Sequence, residues 1–311
     1  MLGRASSKLF KSILDLKPAR PLRAALVRRE IAHELNRVNS GSLDSGFPVL
    51  SRTNSDTVTW IENRKKVFIL GSGASVLEIS PGQFREVEQS PSIGFGAWPL
   101  HYFVPTLIAL GPTRGLEDYT RVFTTVMERP DIVAKKPEVL LLRSSLPADL
   151  GMFGDLPGQH WERTRIYGRV PPISRTIPGL RQELNYWLKP QSNPREFSLQ
   201  FDSGSTLLRM MSLAIKSGAE EIVLLGVDMN SPEYFWETDP SFLVNNGFSS
   251  FHTGQTEGFH DTTLAGRRPF SVIDAVREMH SVFKTVRGGK IFVASPQSAL
   301  AEFLPLFRWK L

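Results

Sequence analysis

Apolar residues fall along this chain in two rhythms. Short, mostly apolar runs stand at Val67-Phe68-Ile69-Leu70, Pro105–Leu110, Val139–Leu142, Glu221–Gly226 and Lys290–Ala294. Runs of that kind predict strands buried on both faces. Ile93–Trp98 (IGFGAW) predicts a shorter strand that ends in glycines. Stripes at helical spacing alternate with these runs. Leu207, Met210, Met211 and Ala214 make one, in a helix expected over Ser203–Lys216 and opened by Asp202-Ser203-Gly204. Val272, Ala275, Val276, Met279 and Phe283 make another, over Phe270–Thr285. Shorter helices are expected at Ser75–Ile79, near Leu180–Leu188, and through Phe303 behind a cap at Ser295-Pro296-Gln297-Ser298.

Strands that alternate with helices predict an α/β protein with a Rossmann-like, mostly parallel sheet and helices on both faces. Ligands of such sheets gather beyond the carboxyl ends of the strands. Those ends are expected at Gly71–Gly73, Gly94–Ala97, Val227–Asn230 and Ser295–Ser298. The Pro-rich region 143–200 reads as irregular apart from the helix near Leu180. Residues 229–269 read as a long loop, placed to act as a lid.

Ahead of the body, Leu22, Leu26, Ile31, Leu35 and Val38 recur near the helical period among basic residues. Residues 1–39 therefore read as a basic helical arm. Two readings stand beside each other: a helix lying on an anionic membrane surface, and a helix packed on the body with a solvated basic face. A targeting peptide is a third. Residues 40–58, rich in Ser, Gly, Asp and Asn, read as a linker, and the α/β body as 59–311.

Charge sharpens this division. The first 40 residues hold nine Lys/Arg and three acids, which accounts for the whole net charge of +6. The rest of the chain is balanced. A neutral body without a base-reading motif argues against a nucleic-acid partner. Cysteine is absent, which excludes disulfides, thiolate metal sites and a cysteine nucleophile. No apolar run reaches the roughly 18 residues that span a bilayer. The expected location is the cytoplasm, with peripheral contact at the inner face of a membrane through residues 1–39.

The candidate chemistry begins at VFILGSGAS. A strand that runs into Gly71-Ser72-Gly73 and then a helix start can present N–H groups to a phosphate. Val76 stands where the dinucleotide fingerprint has its third glycine, which argues against NAD or FAD. His260, in GFHDTT, is a candidate general base, and His252 competes for that role. A His252–His260–Asp261 group matches no standard zinc motif, so no metal site is expected. Tyr234 could donate to a leaving phosphate or merely pack its loop. Ser203 and Gly204 could contact an anion or serve as a cap. Asp228 could hold a ribose or its own loop, and Ser298 offers a hydroxyl at another helix start.

In order, VFILGSGASVLEIS, DSGSTLLRMMSLAIKSGAEEIVLLGVDM, GFHDTT and KIFVASPQSALAEF resemble segments of the bacterial sialyltransferases of glycosyltransferase family 42. The resemblance spans roughly residues 66–307 and is loose over 97–198. It implies an inverting, metal-independent transfer of a sialic-acid-like sugar from a CMP-activated donor to a glycan or glycolipid acceptor, with no other cofactor. It implies Gly71, Ser72, Gly73, Ser203, Gly204, Asp228 and Ser298 around the donor nucleotide, His260 as base and Tyr234 at the leaving phosphate. It leaves a homo-oligomer open. Ser72, Gly96-Ala97, Asn230 and Asp202 depart from the family's pattern. Two other classes stand beside this one: a Mg-dependent pyrophosphokinase-like enzyme, with Asp228 and Asp261 as carboxylate ligands, and a non-catalytic nucleotide- or glycan-binding relative.

Overall fold

The uninterrupted apolar runs become the centre of one sheet. In the computed structural model, residues 20–45, 47–110, 125–142, 160, 162–189, 194–231, 233–249 and 270–310 are described. Eight strands are found among them: β1 (Lys66–Leu70), β2 (Ser92–Phe95), β3 (Leu107–Leu110), β4 (Glu138–Leu142), β5 (Thr164–Val170), β6 (Leu199–Phe201), β7 (Glu221–Leu225) and β8 (Lys290–Val293). Their order is β6-β5-β4-β3-β2-β1-β7-β8, and every pairing is parallel. The fold is α/β and Rossmann-like. Val67, Phe68, Ile69 and Leu70 are fully buried, as a central strand with both faces covered requires. Each such side chain contributes about 1.5–3 kcal/mol of burial.

The order of the sheet fixes where a ligand can sit. From β1 the chain steps outward through β2 to β6, then returns to place β7 on the other side of β1. The reversal lies between β1 and β7. In register, Leu70 of β1 faces Leu225 of β7 and Gly94 of β2. The segments beyond these residues meet at the topological switch point, where open α/β sheets bind ligands.

Helices flank the sheet where the apolar stripes fall. The first, α1 (Arg20–Ser45), is a single helix of 26 residues. Val27, Ile31, Glu34 and Val38 are buried among its described side chains, and it packs on β5. Gly168 of β5 makes room for it, since a Cβ there would stand 2.5 Å from Val38 Cγ2. Of the stripe's described side chains, Ile31 and Val38 are buried and Leu26 and Leu35 partly buried, so this part of the helix packs on the body. Residues 1–19 lie outside the described residues.

Residues 40–58 are not a free linker. Helix α1 continues to Ser45, and α2 (Asp56–Arg64) begins inside the same stretch. Between them Val49 forms a parallel bridge to Ile166 of β5, with Leu50 N–H donating to Ile166 O at 2.9 Å. Phe47 and Leu50 are buried. The Ser55 side chain caps α2, and its hydroxyl and the Asp56 and Thr57 N–H groups reach the carboxylate of buried Glu138 at 2.8–2.9 Å. Polar composition here marks caps and turns rather than slack chain.

The Pro-rich region also holds more structure than its composition predicts. It contains β5, β6 and the helix α5 (Ile177–Trp187), which comes after α3 (Pro81–Glu88) and α4 (Pro130–Lys135). β5 pairs with β4 through its first half and with β6 through Gly168–Val170. Its outer edge is shared between Val49 and β6. At the opposite border, Val293 of β8 bridges to Leu306, with Val293 N–H donating to Pro305 O and Phe307 N–H to Val293 O.

Candidate functional site

The segment after β1 is shaped by close approach to the end of β7. Gly71 N–H donates to Leu225 O at 2.7 Å and Gly73 N–H to Gly226 O at 2.8 Å. A Cβ on Gly71 would stand 2.5 Å from Gly226 O, and Gly226 has φ +65°. The glycines thus let two main chains touch. Their N–H groups, expected to cradle a phosphate, are already bonded inside the protein. The chain then enters a short 3₁₀ turn, Ala74–Glu78, rather than an α-helix.

Asp228 completes this turn. Its carboxylate accepts the Ser75 N–H at 3.0 Å on one oxygen and the Ser75 hydroxyl on the other. It lies against Gly73, where a Cβ would collide with it. Asp228 is buried, so its visible role is to hold the turn after β1. The next residue, Met229, adopts φ +65° without being glycine, a backbone state that costs energy.

Tyr234 comes to the same place. Its main chain forms an antiparallel bridge with Gly73, and the next N–H, of Phe235, donates to Ser72 O at 3.1 Å. The Tyr234 ring stacks on Trp236 at 4.4 Å and 10°. Ser72 itself lies beside β2, its hydroxyl 3.4 Å from Phe95 O. Ser298 closes the group from β8: its hydroxyl donates to Val227 O at 2.6 Å, and Ala299 N–H donates to Asp228 O at 2.9 Å. Ser298 also caps its own 3₁₀ turn, Ala299–Glu302. Gly71, Ser72, Gly73, Asp228, Tyr234 and Ser298 are brought together. His260, His252 and Asp261 lie outside the described residues.

The expected lid is docked where it is described. Helix α7 (Phe235–Thr238) and helix α8 (Ser241–Val244) bury Phe235, Trp236 and Leu243. Arg129 bonds Pro99 O, His101 O and Asn246 Oδ1 at 2.9–3.2 Å. Asn246 in turn donates to Leu100 O at 3.0 Å. Beneath this latch His101 stacks among Trp98, Tyr102 and Phe242. Burial and the neighbouring Arg129 lower its pKa to about 3, so it is neutral at ordinary pH. Its Nδ1 accepts the Phe103 N–H at 3.0 Å.

Ser203 and Gly204 belong to a second cluster, around Asp202. Helix α6 (Thr206–Lys216) starts at Thr206 rather than Ser203. Asp202 Oδ1 accepts the Ser205 N–H at 2.9 Å, and its Oδ2 meets Arg209 at 2.9 Å and Arg169 at 3.3 Å. Arg209 also reaches the Tyr167 hydroxyl at 3.3 Å and Thr206 Oγ1 at 2.6 Å. Asp202 is therefore neutralised in place. Sequence reasoning misses Arg209, Arg169 and Ser75. Arg209 carries a signal: it and Lys216 stand seven residues apart among the buried positions of an apolar helix. Lys216 is used in the same way, its ammonium donating to Glu196 O and Leu199 O at 2.6–2.7 Å and lying 4.4 Å from the Trp187 ring.

Among the described residues, Glu30, His33 and Glu34 on α1 are the group with metal-ligand spacing. Glu34 is already paired there with Arg37. No helix among the described residues is long and apolar enough to cross a membrane.

No family model and no curated protein matches this chain. Among solved structures it is similar to the monofunctional alpha-2,3-sialyltransferase Cst-I from Campylobacter jejuni. That similarity has a TM-score of 0.40 and 16% identity, covering 79% of this chain and 81% of the other. It is a distant likeness of fold alone.

Proposed function

We propose that the protein is an inverting glycosyltransferase that passes a sialic-acid-like sugar from a CMP-activated donor to a hydroxyl of a glycan or glycolipid. The observation that carries this reading is the convergence of four chain segments, through direct hydrogen bonds, at the switch point between β1 and β7. The donor class comes from the sequence motifs that build those segments.

The chemistry needs few parts. The acceptor oxygen attacks the anomeric carbon, the bond from that carbon to the phosphate oxygen breaks, and the electron pair leaves on CMP. The acceptor proton passes to a base, for which His260 is the candidate. Tyr234, held at Gly73 by main-chain bonding, is the candidate donor to the leaving phosphate. No metal is required in this scheme.

The pyrophosphokinase-like reading loses ground because the Asp228 carboxylate is engaged by Ser75. A non-catalytic binding relative keeps one favourable observation: the Gly71 and Gly73 N–H groups are satisfied internally. Turnover decides between them. The purified chain should hydrolyse or transfer from a CMP-activated sugar without added metal, and His260→Ala should abolish turnover while leaving CMP binding nearly intact. CMP binding without turnover in the parent chain would favour the non-catalytic relative. Turnover unchanged in His260→Ala would remove His260 from the role of base.

A further inference from the structure

Among the described residues, three that are not glycine have φ in the left-handed region: Lys65 at 61°, Lys136 at 50° and Met229 at 65°. Lys65 and Lys136 cap the C-terminal ends of α2 and α4, where that conformation is ordinary. Met229 ends no helix; it stands beyond the end of β7. Its backbone state costs energy that Gly or Asn would largely avoid.

The strain is held from both sides. The Asp228 carboxylate accepts from Ser75 in the turn after β1, and the Asp228 carbonyl accepts the Ala299 N–H at 2.9 Å. On the other side, the Asn230 amide group donates to Gln297 O at 2.7 Å. The two neighbours of Met229 are thus fastened to segments that follow two other strands, and the residue between them cannot relax. Strain over-determined in this way clusters at ligand sites.

Its place in the fold agrees. β7 borders β1 where the sheet reverses, and ligands of such sheets bind beyond those strand ends. The polar side chains of Ser75, Asp228 and Ser298 are already bonded within the protein. The Met229 side chain is half-buried at the border of the core. It brings an apolar, polarisable thioether to this place, and ligand pockets are lined mainly by apolar surface.

We propose that Met229 supplies the apolar contact for the flat base of a nucleotide bound at the switch point, and that its left-handed backbone is kept because it presents that side chain. That the ligand is a nucleotide rests on the glycosyltransferase reading above. Every base has a π-face, on which a thioether packs favourably. The phosphate stays with Tyr234. The Asp228 carboxylate and the Tyr234 main chain both lie against Gly73, so neighbouring positions serve the two ends of one nucleotide.

The test is nuclear magnetic resonance on the full chain with isotope-labelled methionine methyl groups, titrated with CMP, UMP, AMP, GMP and ribose phosphate. Met229→Leu identifies the Met229 signal among the seven methionines. That signal should move when CMP binds, through the ring current of the base. It should stay in place with ribose phosphate, which has no base. By calorimetry Met229→Leu should keep the parent's CMP affinity, and Met229→Gly and Met229→Asn should lose roughly fivefold. Both of these should melt no lower than the parent, because they accept the left-handed backbone. CMP bound with the Met229 signal unmoved, or bound equally well by Met229→Gly, would overturn the proposal and leave the donor reading intact. If another monophosphate binds and moves the signal while CMP does not bind, the proposal stands and the CMP-donor reading fails. If no nucleotide binds, both fail.

Discussion

Asp228 and Ser75 are 153 positions apart in sequence and share two hydrogen bonds, main chain to one carboxylate oxygen and hydroxyl to the other. They tie the end of β7 to the turn after β1. Asp228→Ala would leave the buried Ser75 N–H and hydroxyl without acceptors. Hydrogen bonds to a charged group are worth about 1.5–3 kcal/mol, and a loss of about 2–4 kcal/mol is expected for the pair. Urea denaturation measures it. A loss below about 0.5 kcal/mol would mean that the pair does not hold the turn.

Gly226 is the counterpart on the β7 side. Its φ is +65°, and a Cβ there would stand 3.0 Å from Gly71 C and 3.5 Å from Val76 Cβ. Gly226→Ala combines a left-handed backbone with a main-chain collision, so a loss of at least about 2 kcal/mol is expected. Gly247→Ala serves as the control, with φ +79° but open space around it. Similar losses in the two variants would show that close approach to Gly71 contributes nothing.

His101 makes stability sensitive to acid. Burial, then Arg129, depress its folded pKa to about 3, whereas an unfolded histidine titrates near 6.5. Between these values the unfolded chain binds a proton that the fold refuses. Its contribution is full above about pH 6.5 and falls by up to about 1.4 kcal/mol per unit as the pH drops toward 3. Unfolding free energies at pH 7, 6, 5 and 4 should fall more steeply in the parent chain than in His101→Phe. Parallel slopes would contradict the assignment.

Lys216 acts at the other end of the scale. Burial pulls its folded pKa down to about 7, against roughly 10.4 in an unfolded chain. Between these values the unfolded state carries the extra proton, so stability rises with pH through that window. Lys216→Met, which keeps the stem against Trp187, should flatten the rise between pH 7 and 10. An unchanged slope would mean that the two carbonyls and the indole ring keep the ammonium charged.

The sheet is largely legible in the sequence because its central strands are apolar on both faces. Phe68-Ile69-Leu70, Val139–Leu142 and Ile222–Leu225 announce themselves without reference to the rest of the chain. β5 does not: Thr164-Arg165-Ile166-Tyr167-Gly168-Arg169-Val170 mixes two arginines and a glycine into a strand whose face is covered by α1. β6, at three residues, is too short to show a period. The linker reading of 40–58 fails for a related reason. Ser55, Asp56 and Thr57 look like loose polar chain until Glu138, some 80 positions on, is seen to receive them. Within the site, the strand ends could be placed by topology. The pairing of Asp228 with Ser75, and of Asp202 with two arginines, is long-range chemistry that local spacing does not encode.

The borders of the sheet carry a consequence for assembly. One flank ends in the three-residue β6 and the bridge at Val49; the other is covered by the segment at Pro305–Phe307. Among the described residues, neither flank offers a long row of unpaired amides on which a second chain could template itself. Self-association of this protein would therefore proceed through helix surfaces and loops, leaving the strand ladder complete within one molecule.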